Sequence, residues 1–313
     1  MPDFIPLSDN AARQIMDSTT LFEEHRRVQA ETRRYEGGMY WKRQGAYEYL
    51  VRTGKDNRQH RIGPRNAEQE KTYLDFTSRK RDLEQRLRSL RQALTEAERM
   101  NRAVKAGRTP AIVVALLQTL ADTGLDRHFT VVGTHALYAY EAAAGVRIVQ
   151  GALATQDVDL LWDARKRVQF VTDIGRQDLS VLRMLQKVDP SFRRKEGQAE
   201  TAINDKGFEV DFLRRMAVSD DPHPFRFSAD EEDLWPVQAL RASVLTEAPR
   251  FESVVISATG RMARMPTIAP ISFVEFKRWL AEQAPNRADA KRRRDRRQAD
   301  IVQALLDQEL LIP

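Results

Sequence analysis

Residues 155–163 read Thr-Gln-Asp-Val-Asp-Leu-Leu-Trp-Asp, and the reading of Asp157-Val158-Asp159-Leu160 within them decides the fold. β-branched and aromatic residues around the carboxylates mark Asp157 to Trp162 as a strand. Alternate side chains of a strand share a face. Asp157 and Asp159 therefore point the same way, with Val158 turned into the core. Two adjacent carboxylates repel each other and raise at least one pKa, and a divalent cation removes the repulsion. An isolated Asp-x-Asp is common on protein surfaces, so the pair means chemistry only in company.

Company lies on both sides. Downstream, Phe208-Glu209-Val210-Asp211-Phe212-Leu213 sets Asp211 between apolar neighbours in a second strand. A carboxylate there needs a partner, because burying it alone is costly. That partner is either an arginine such as Arg214 or Arg215, or a metal shared with the first pair. Glu209 lies on the same face and competes with Asp211. Upstream, the strand Phe129 to Val132 runs into Gly133-Thr134 and then a helix from His135 to Ala144, stopped by Gly145. Glycine lets a phosphate approach the backbone, and the helix start offers free amides and a positive dipole end. Thr134 adds a hydroxyl. Alone, this is also an ordinary turn with a helix cap.

Further out, residues 8–35 read as a charged helix. Met39 to Trp41 and Tyr47 to Val51 form a β-hairpin, followed by a polar stretch from Gly54 to Arg61. From Glu68 to Lys105 a long helix carries Tyr73, Phe76, Leu83, Leu87, Leu90, Leu94 and Ala97 at spacings of three and four, a coiled-coil type of seam. It pairs either with the first helix or with a second subunit. Gly107 to Pro110 marks a boundary, and Pro110 to Ala121 is a helix. Val146 to Leu153 reads as a strand and Arg165 to Val188 as mostly helix. Glu200 to Ile203 pairs with Phe208 to Leu213 around Asn204 to Gly207. Pro222 to Pro236 is loop, Ser253 to Ala258 a short strand, and Ser272 to Gln283 and Asp289 to Leu311 the closing helices. Along the last of these, Lys291 and Asp295 are spaced to pair. His135, Tyr138, Tyr140, Trp162 and Trp279 read as packing residues.

Composition narrows the chemistry. The 313 residues contain no Cys, which excludes thiolate catalysis and Cys-ligated zinc, and the five His lack metal-site spacing. A metal held by oxygen alone favours a hard cation such as magnesium. No apolar run approaches the roughly 20 residues that span a bilayer, so the expectation is a cytoplasmic protein without membrane contact. Residues 1–110 hold 23 Lys/Arg against 16 Asp/Glu and residues 277–297 hold 9 against 3, whereas residues 111–276 hold 19 against 23. The basic ends suit a polyanionic partner such as RNA, and equally a pair of solvated helix faces.

The combination of Gly133-Thr134, Asp157-Val158-Asp159-Leu160 and Val210-Asp211-Phe212 resembles the DNA polymerase β-like nucleotidyltransferase superfamily. The stretches VVGTHALYAYEAAAGV, ATQDVDLLWD and GFEVDFL look like a family of bacterial nucleotidyltransferase-fold proteins distantly similar to abortive-infection type IV toxins. The closer resemblance spans about residues 36–305. It implies an α+β fold: a polymerase β-like mixed sheet with flanking helices over 108–260, an N-terminal β-hairpin and long helical arm over 1–107, and a C-terminal helical region over 261–313. It implies Asp157, Asp159 and Asp211 as catalytic ligands of two Mg2+ ions, with Mn2+ as a substitute. Gly133, Thr134 and Lys277 would bind the nucleotide. The donor would be a nucleoside triphosphate, and the acceptor a hydroxyl on tRNA, a protein or a small molecule, in a reaction that arrests growth if the chain acts as a toxin. A homo-oligomer through the 68–105 helix, and a non-catalytic nucleotide- or nucleic-acid-binding protein on the same fold, stand as the alternatives. Two features depart from the superfamily pattern. The spacing from Gly133 to Asp157 is long, as if a strand near Val146 to Leu153 were inserted, and Thr134 replaces the usual Ser or Gly.

Overall fold

The computed structural model describes residues 3–54, 57–153, 155–175, 180–218, 221–223 and 225–312. It resolves into two compact units, one of Met1–Ala12 with Lys105–Pro313 and one of Arg13–Val104.

Strand β1 (Phe4–Pro6) and helix α1 (Asp9–Arg33) open the chain. Strands β2 (Gly38–Gln44), β3 (Tyr47–Thr53) and β4 (Gln59–Pro64) then form an antiparallel sheet in that order, and helix α2 (Ala67–Ala103) follows. The hairpin expected from the aromatic residues is therefore a three-stranded sheet. β4 begins within the stretch read only as polar, Gly54 to Arg61, and its exposed residues carry no apolar alternation. Asn66 caps α2 by accepting a hydrogen bond from the Gln69 amide, 2.9 Å. Val28 of α1 packs on Leu83 and Leu87 of α2, with Tyr35 and Leu90 alongside. The seam of α2 is thus covered within the chain. One face of the sheet packs on the same helix: the Trp41 and Tyr73 rings lie 6.0 Å apart, and the Arg52 guanidinium sits 4.4 Å from the Phe76 ring centroid.

The larger unit begins at helix α3 (Ala111–Asp122), strand β5 (Phe129–Val132) and helix α4 (Ala136–Ala144). Gly145 ends α4 in the left-handed conformation, φ 65°. Strand β6 (Val146–Ile148) and the short helix α5 (Gln150–Leu153) take the place of the single strand expected there. β6 pairs with β1 and stays outside the central sheet. Behind it Glu141, 3% exposed, accepts hydrogen bonds from Arg108 and from the Ile148 amide and pairs with Arg147 at 3.2 Å. Strand β7 (Asp157–Trp162) follows, then helices α6 (Arg167–Gly175) and α7 (Val181–Val188) where one helical region was expected; residues 176–179 of that region lie outside the described residues. Strands β8 (Arg193–Lys195), β9 (Gln198–Ile203), β10 (Glu209–Arg214) and β11 (Val237–Gln238) complete a sheet of order β5-β7-β10-β9-β8, with β11 on β10. β7 and β10 are parallel neighbours, and the remaining pairs of the main path are antiparallel, so the sheet is mixed.

Its core is dense with aromatic side chains. Phe129, Trp162, Phe170, Phe212 and Phe227 are all buried and linked by ring contacts into one cluster, and Phe225 stacks on Trp162 at 4.7 Å. Helix α8 (Ala242–Glu247), strands β12 (Arg250–Ile256) and β13 (Met262–Ile268), and helices α9 (Pro270–Glu282) and α10 (Asp289–Asp307) close the chain. β12 and β13, seven residues each, form one hairpin. The boundary expected between 260 and 261 lies in its turn, and Phe273, Val274, Ile301 and Leu305 beyond it share one core with the sheet. Among the described residues, no helix is long and apolar enough to cross a membrane.

Candidate active site

The first two carboxylates stand on β7 as strand alternation requires, with Val158 between them fully buried. Pairing in the sheet then brings in the third. Asp211 of β10 is the register partner of Asp159, and Glu209 is the partner of Asp157. On the other side of β7, Asp159 lies opposite Val132, the last residue of β5. The end of β5, the beginning of β7 and the beginning of β10 thus meet at one edge. Carboxylate oxygens of Asp157, Asp159 and Asp211 lie within 4.8 Å of one another. Glu209 shares the face but is drawn away by Lys195, 2.7 Å. The arginines that could have neutralised Asp211 are engaged elsewhere. Arg214 donates to the Pro222 carbonyl at 2.9 Å, and Arg215 pairs with Asp221 at 2.7 Å.

None of the three carboxylates forms an ion pair among the described residues. Asp157 accepts a hydrogen bond from the Thr155 hydroxyl and Asp211 one from Thr201, 2.5 Å. Burial, helped by the charges of Asp157 and Asp211, pushes the Asp159 carboxyl up to about 7, while Lys277 and Arg287 pull the other way. Burial also raises Asp211, against the Thr201 hydrogen bond. Three oxygen donors on rigid strands with uncompensated repulsion fit a hard divalent cation.

Gly133 begins a single 3₁₀ turn between β5 and α4, with φ at 68°. A Cβ on it would lie 2.1 Å from an Asp159 carboxylate oxygen. The glycine therefore makes room for the carboxylate itself, a role that sequence reading of a phosphate turn does not suggest. Thr134 is buried, and its hydroxyl oxygen accepts from the Gln298 amide at 3.2 Å. His135 is 1% exposed beside Tyr138 and Phe208, and burial lowers it to about 4. It is a neutral packing residue.

A cleft of about 560 Å³ opens over these groups, lined by Gly133, Thr134 and the three aspartates on one side and by α9, α10 and their connection on the other. Residues 111–313 match the family described as nucleotidyltransferase. The chain belongs to the nucleotidyltransferase family. No curated protein and no solved structure matches it.

The far wall of this nucleotidyltransferase cleft is basic and aromatic. Lys277, Arg287, Lys291 and Arg294 line it with Phe276 and Trp279. Lys277 is buried, and its ammonium pairs with Asp295 at 2.9 Å; Arg287 holds the other Asp295 oxygen at 2.5 Å. The Lys291–Asp295 pairing expected from helix spacing does not form. Asp295 faces inward to the two cleft cations, while Lys291 is exposed. Burial depresses the Lys277 ammonium, and Asp295 counters it. Trp279, expected in the core, instead stacks on Phe276 at the cleft, 6.0 Å between rings, with the Arg241 guanidinium 5.2 Å from its centroid. Tyr138, Tyr140 and Trp162 are buried as expected. Arg287 and Trp279 had no sequence signal beyond charge and size, because their placement depends on how α10 folds back on α9.

Proposed function

We propose that this cleft moves a nucleoside monophosphate from a nucleoside triphosphate to an acceptor hydroxyl. The observation that carries the reading is the convergence of three carboxylates, none ion-paired among the described residues, on one edge of a cleft whose opposite wall is cationic. Asp157, Asp159 and Asp211 are the residues that would hold Mg2+, two ions by the superfamily pattern, with Mn2+ able to replace them. When bound, such ions neutralise charge on the phosphates and lower the pKa of an acceptor hydroxyl.

The protein's own groups divide the remaining work. The acceptor oxygen bonds to the α-phosphorus while the bond to the departing pyrophosphate breaks. Asp211 takes the hydroxyl proton. Gly133 and the Thr134 hydroxyl border the phosphate path at the start of α4. Lys277 and Arg287, fixed by Asp295, place positive charge opposite the aspartates, where the β- and γ-phosphates and the pyrophosphate develop charge. Trp279 and Phe276 give the nucleoside an aromatic surface.

The acceptor is a tRNA end, a protein hydroxyl or a small molecule, and the reaction belongs in the cytoplasm. Incubation with each α-labelled triphosphate, Mg2+ and a cell extract, followed by separation of RNA from protein, identifies it. Label transferred by the wild type and lost in Asp159→Ala supports the reading; equal labelling by both proteins overturns it. The toxin-like form predicts growth arrest on expression of the wild type and none for Asp157→Ala. Normal growth at good expression of the wild type removes that form.

A further inference from the structure

The second unit carries a surface that the transfer chemistry does not use. One face of the β2-β3-β4 sheet is packed on α2 through Trp41, whose register partner Leu50 is buried. Register partners across the strands define the other face. Tyr40 lies opposite Val51, Lys42 opposite Tyr49, Gln44 opposite Tyr47, and Val51 opposite Arg61. This face is open: Tyr47 is 66% and Tyr40 36% exposed. A depression of about 320 Å³ lies between Lys42, Gln44, Tyr49, Gln59 and Arg61, floored by Val51.

Its charge is one-sided. Residues 38–64 hold six Lys/Arg against Glu48 and Asp56. Glu48 lies on the opposite face, opposite Arg43, where it binds Arg65 at 2.6 Å. On the open face Lys42 donates to the Gln59 amide oxygen, 3.4 Å, and Arg61 to the Gln44 amide oxygen, 3.1 Å. Neither cation is neutralised by a carboxylate among the described residues. The Arg61 guanidinium is stacked over the Tyr49 ring, and Tyr47 lies 6.4 Å from Tyr49. Exposed aromatic rings interleaved with unneutralised cations are poor packing material but match a chain of bases and phosphates. Bases stack on rings and guanidinium planes while cations track the backbone. The Gln44 and Gln59 amides beside them can both donate to and accept from a ribose 2′-hydroxyl.

We propose that this sheet face binds single-stranded RNA, with Tyr40, Tyr47 and the Arg61–Tyr49 stack receiving bases and Lys42 meeting phosphate. The face belongs to a different compact unit from the nucleotidyltransferase cleft and needs no transfer activity to be detected.

The test is fluorescence anisotropy of a labelled, mixed-sequence oligoribonucleotide with the full chain. Tyr47→Ala weakens binding about tenfold without altering circular dichroism or melting, since the side chain is exposed. Tyr47→Phe, which keeps the ring, restores affinity. Lys42→Ala lowers the slope of log affinity against log salt by about one. Asp159→Ala binds RNA like the wild type. Four results each overturn the proposal. Tyr47→Ala and Tyr40→Ala could bind RNA as the wild type does, which leaves only diffuse charge attraction. Duplex RNA could bind as tightly as the single strand. Single-stranded DNA of the same sequence could bind as tightly as RNA. The face could instead hold a second copy, seen as a dimer in sedimentation that Tyr47→Ala dissolves without any RNA affinity.

Discussion

Gly133→Ala tests how the site is built. At this residue φ is 68°, and a Cβ would sit 2.1 Å from an Asp159 carboxylate oxygen. Two penalties follow, and they are separable. Holding a non-glycine residue in the left-handed region costs roughly 1–2 kcal/mol. Beyond that, an ordinary carbon–oxygen contact needs about 3.4 Å, so the carboxylate must retreat by about 1 Å. That retreat moves Asp159 relative to Asp157 and Asp211, and a misplacement of about 1 Å at a reacting centre costs on the order of 100-fold in rate. Gly145→Ala is the control. Its φ is 65°, and a Cβ there meets nothing within 4 Å. Urea denaturation, calorimetric Mn2+ titration and single-turnover transfer are measured on both variants. Gly145→Ala loses about 1 kcal/mol of stability with metal affinity and rate intact. Gly133→Ala loses a similar amount and in addition binds Mn2+ at least about tenfold more weakly and transfers on the order of 100-fold more slowly. Unchanged metal affinity and rate in Gly133→Ala would show that the Asp159 carboxylate does not act where the geometry puts it.

Three other outcomes follow from the same structure. The Asp159 carboxyl titrates at about 7 in the folded chain against 3.8 as its ordinary value, so the folded state keeps a proton that the unfolded state releases. Stability of the metal-free protein therefore falls as pH rises between those values, by about 2–4 kcal/mol in all. Asp159→Asn abolishes that fall and is the more stable protein at pH 8 in chelator; denaturation curves at pH 5 and 8 that are alike for both proteins would contradict this. Glu141→Ala strands Arg108 and Arg147 beside a buried gap and costs about 3–5 kcal/mol, read as a lowered denaturation midpoint, whereas a shift below 1 kcal/mol would mean that the cluster is solvated. Trp279→Ala raises KM for the triphosphate about tenfold with kcat nearly unchanged; an unaltered KM would remove the aromatic wall from nucleotide binding.

What the sequence disclosed tracks how local each feature is. Strand alternation puts Asp157 and Asp159 on one face within three residues, so that pair was legible. The Asn204 to Gly207 turn made the β9–β10 hairpin legible in the same way. The parallel pairing of β7 with β10, which brings Asp211 beside Asp159, joins residues about fifty positions apart; the apolar flanks of Asp211 hinted at it, and otherwise it rested on the family resemblance. β4 was missed because Gln59 to Pro64 carries exposed polar residues on an edge. The stretch after Gly145 was misread because an apolar run of that length suits a strand or a short helix equally, and here it divides between β6 and α5. Lys277 lines the cleft and pairs there with Asp295, for which helical spacing had suggested Lys291. Asp295 is buried, and an inward carboxylate takes the cations it faces, Lys277 and Arg287, over a neighbour that can reach solvent.

The measurement that bears most directly on the account is transfer from a nucleoside triphosphate labelled in parallel on the α- or the γ-phosphate, with Mg2+ and the acceptor fraction, for wild type and Asp159→Ala. Nucleotidyl transfer at this site carries the α-label to the acceptor and releases the γ-label with pyrophosphate, and chelation or Asp159→Ala abolishes the transfer. Transfer of the γ-label, or α-label transfer that survives Asp159→Ala, would contradict it.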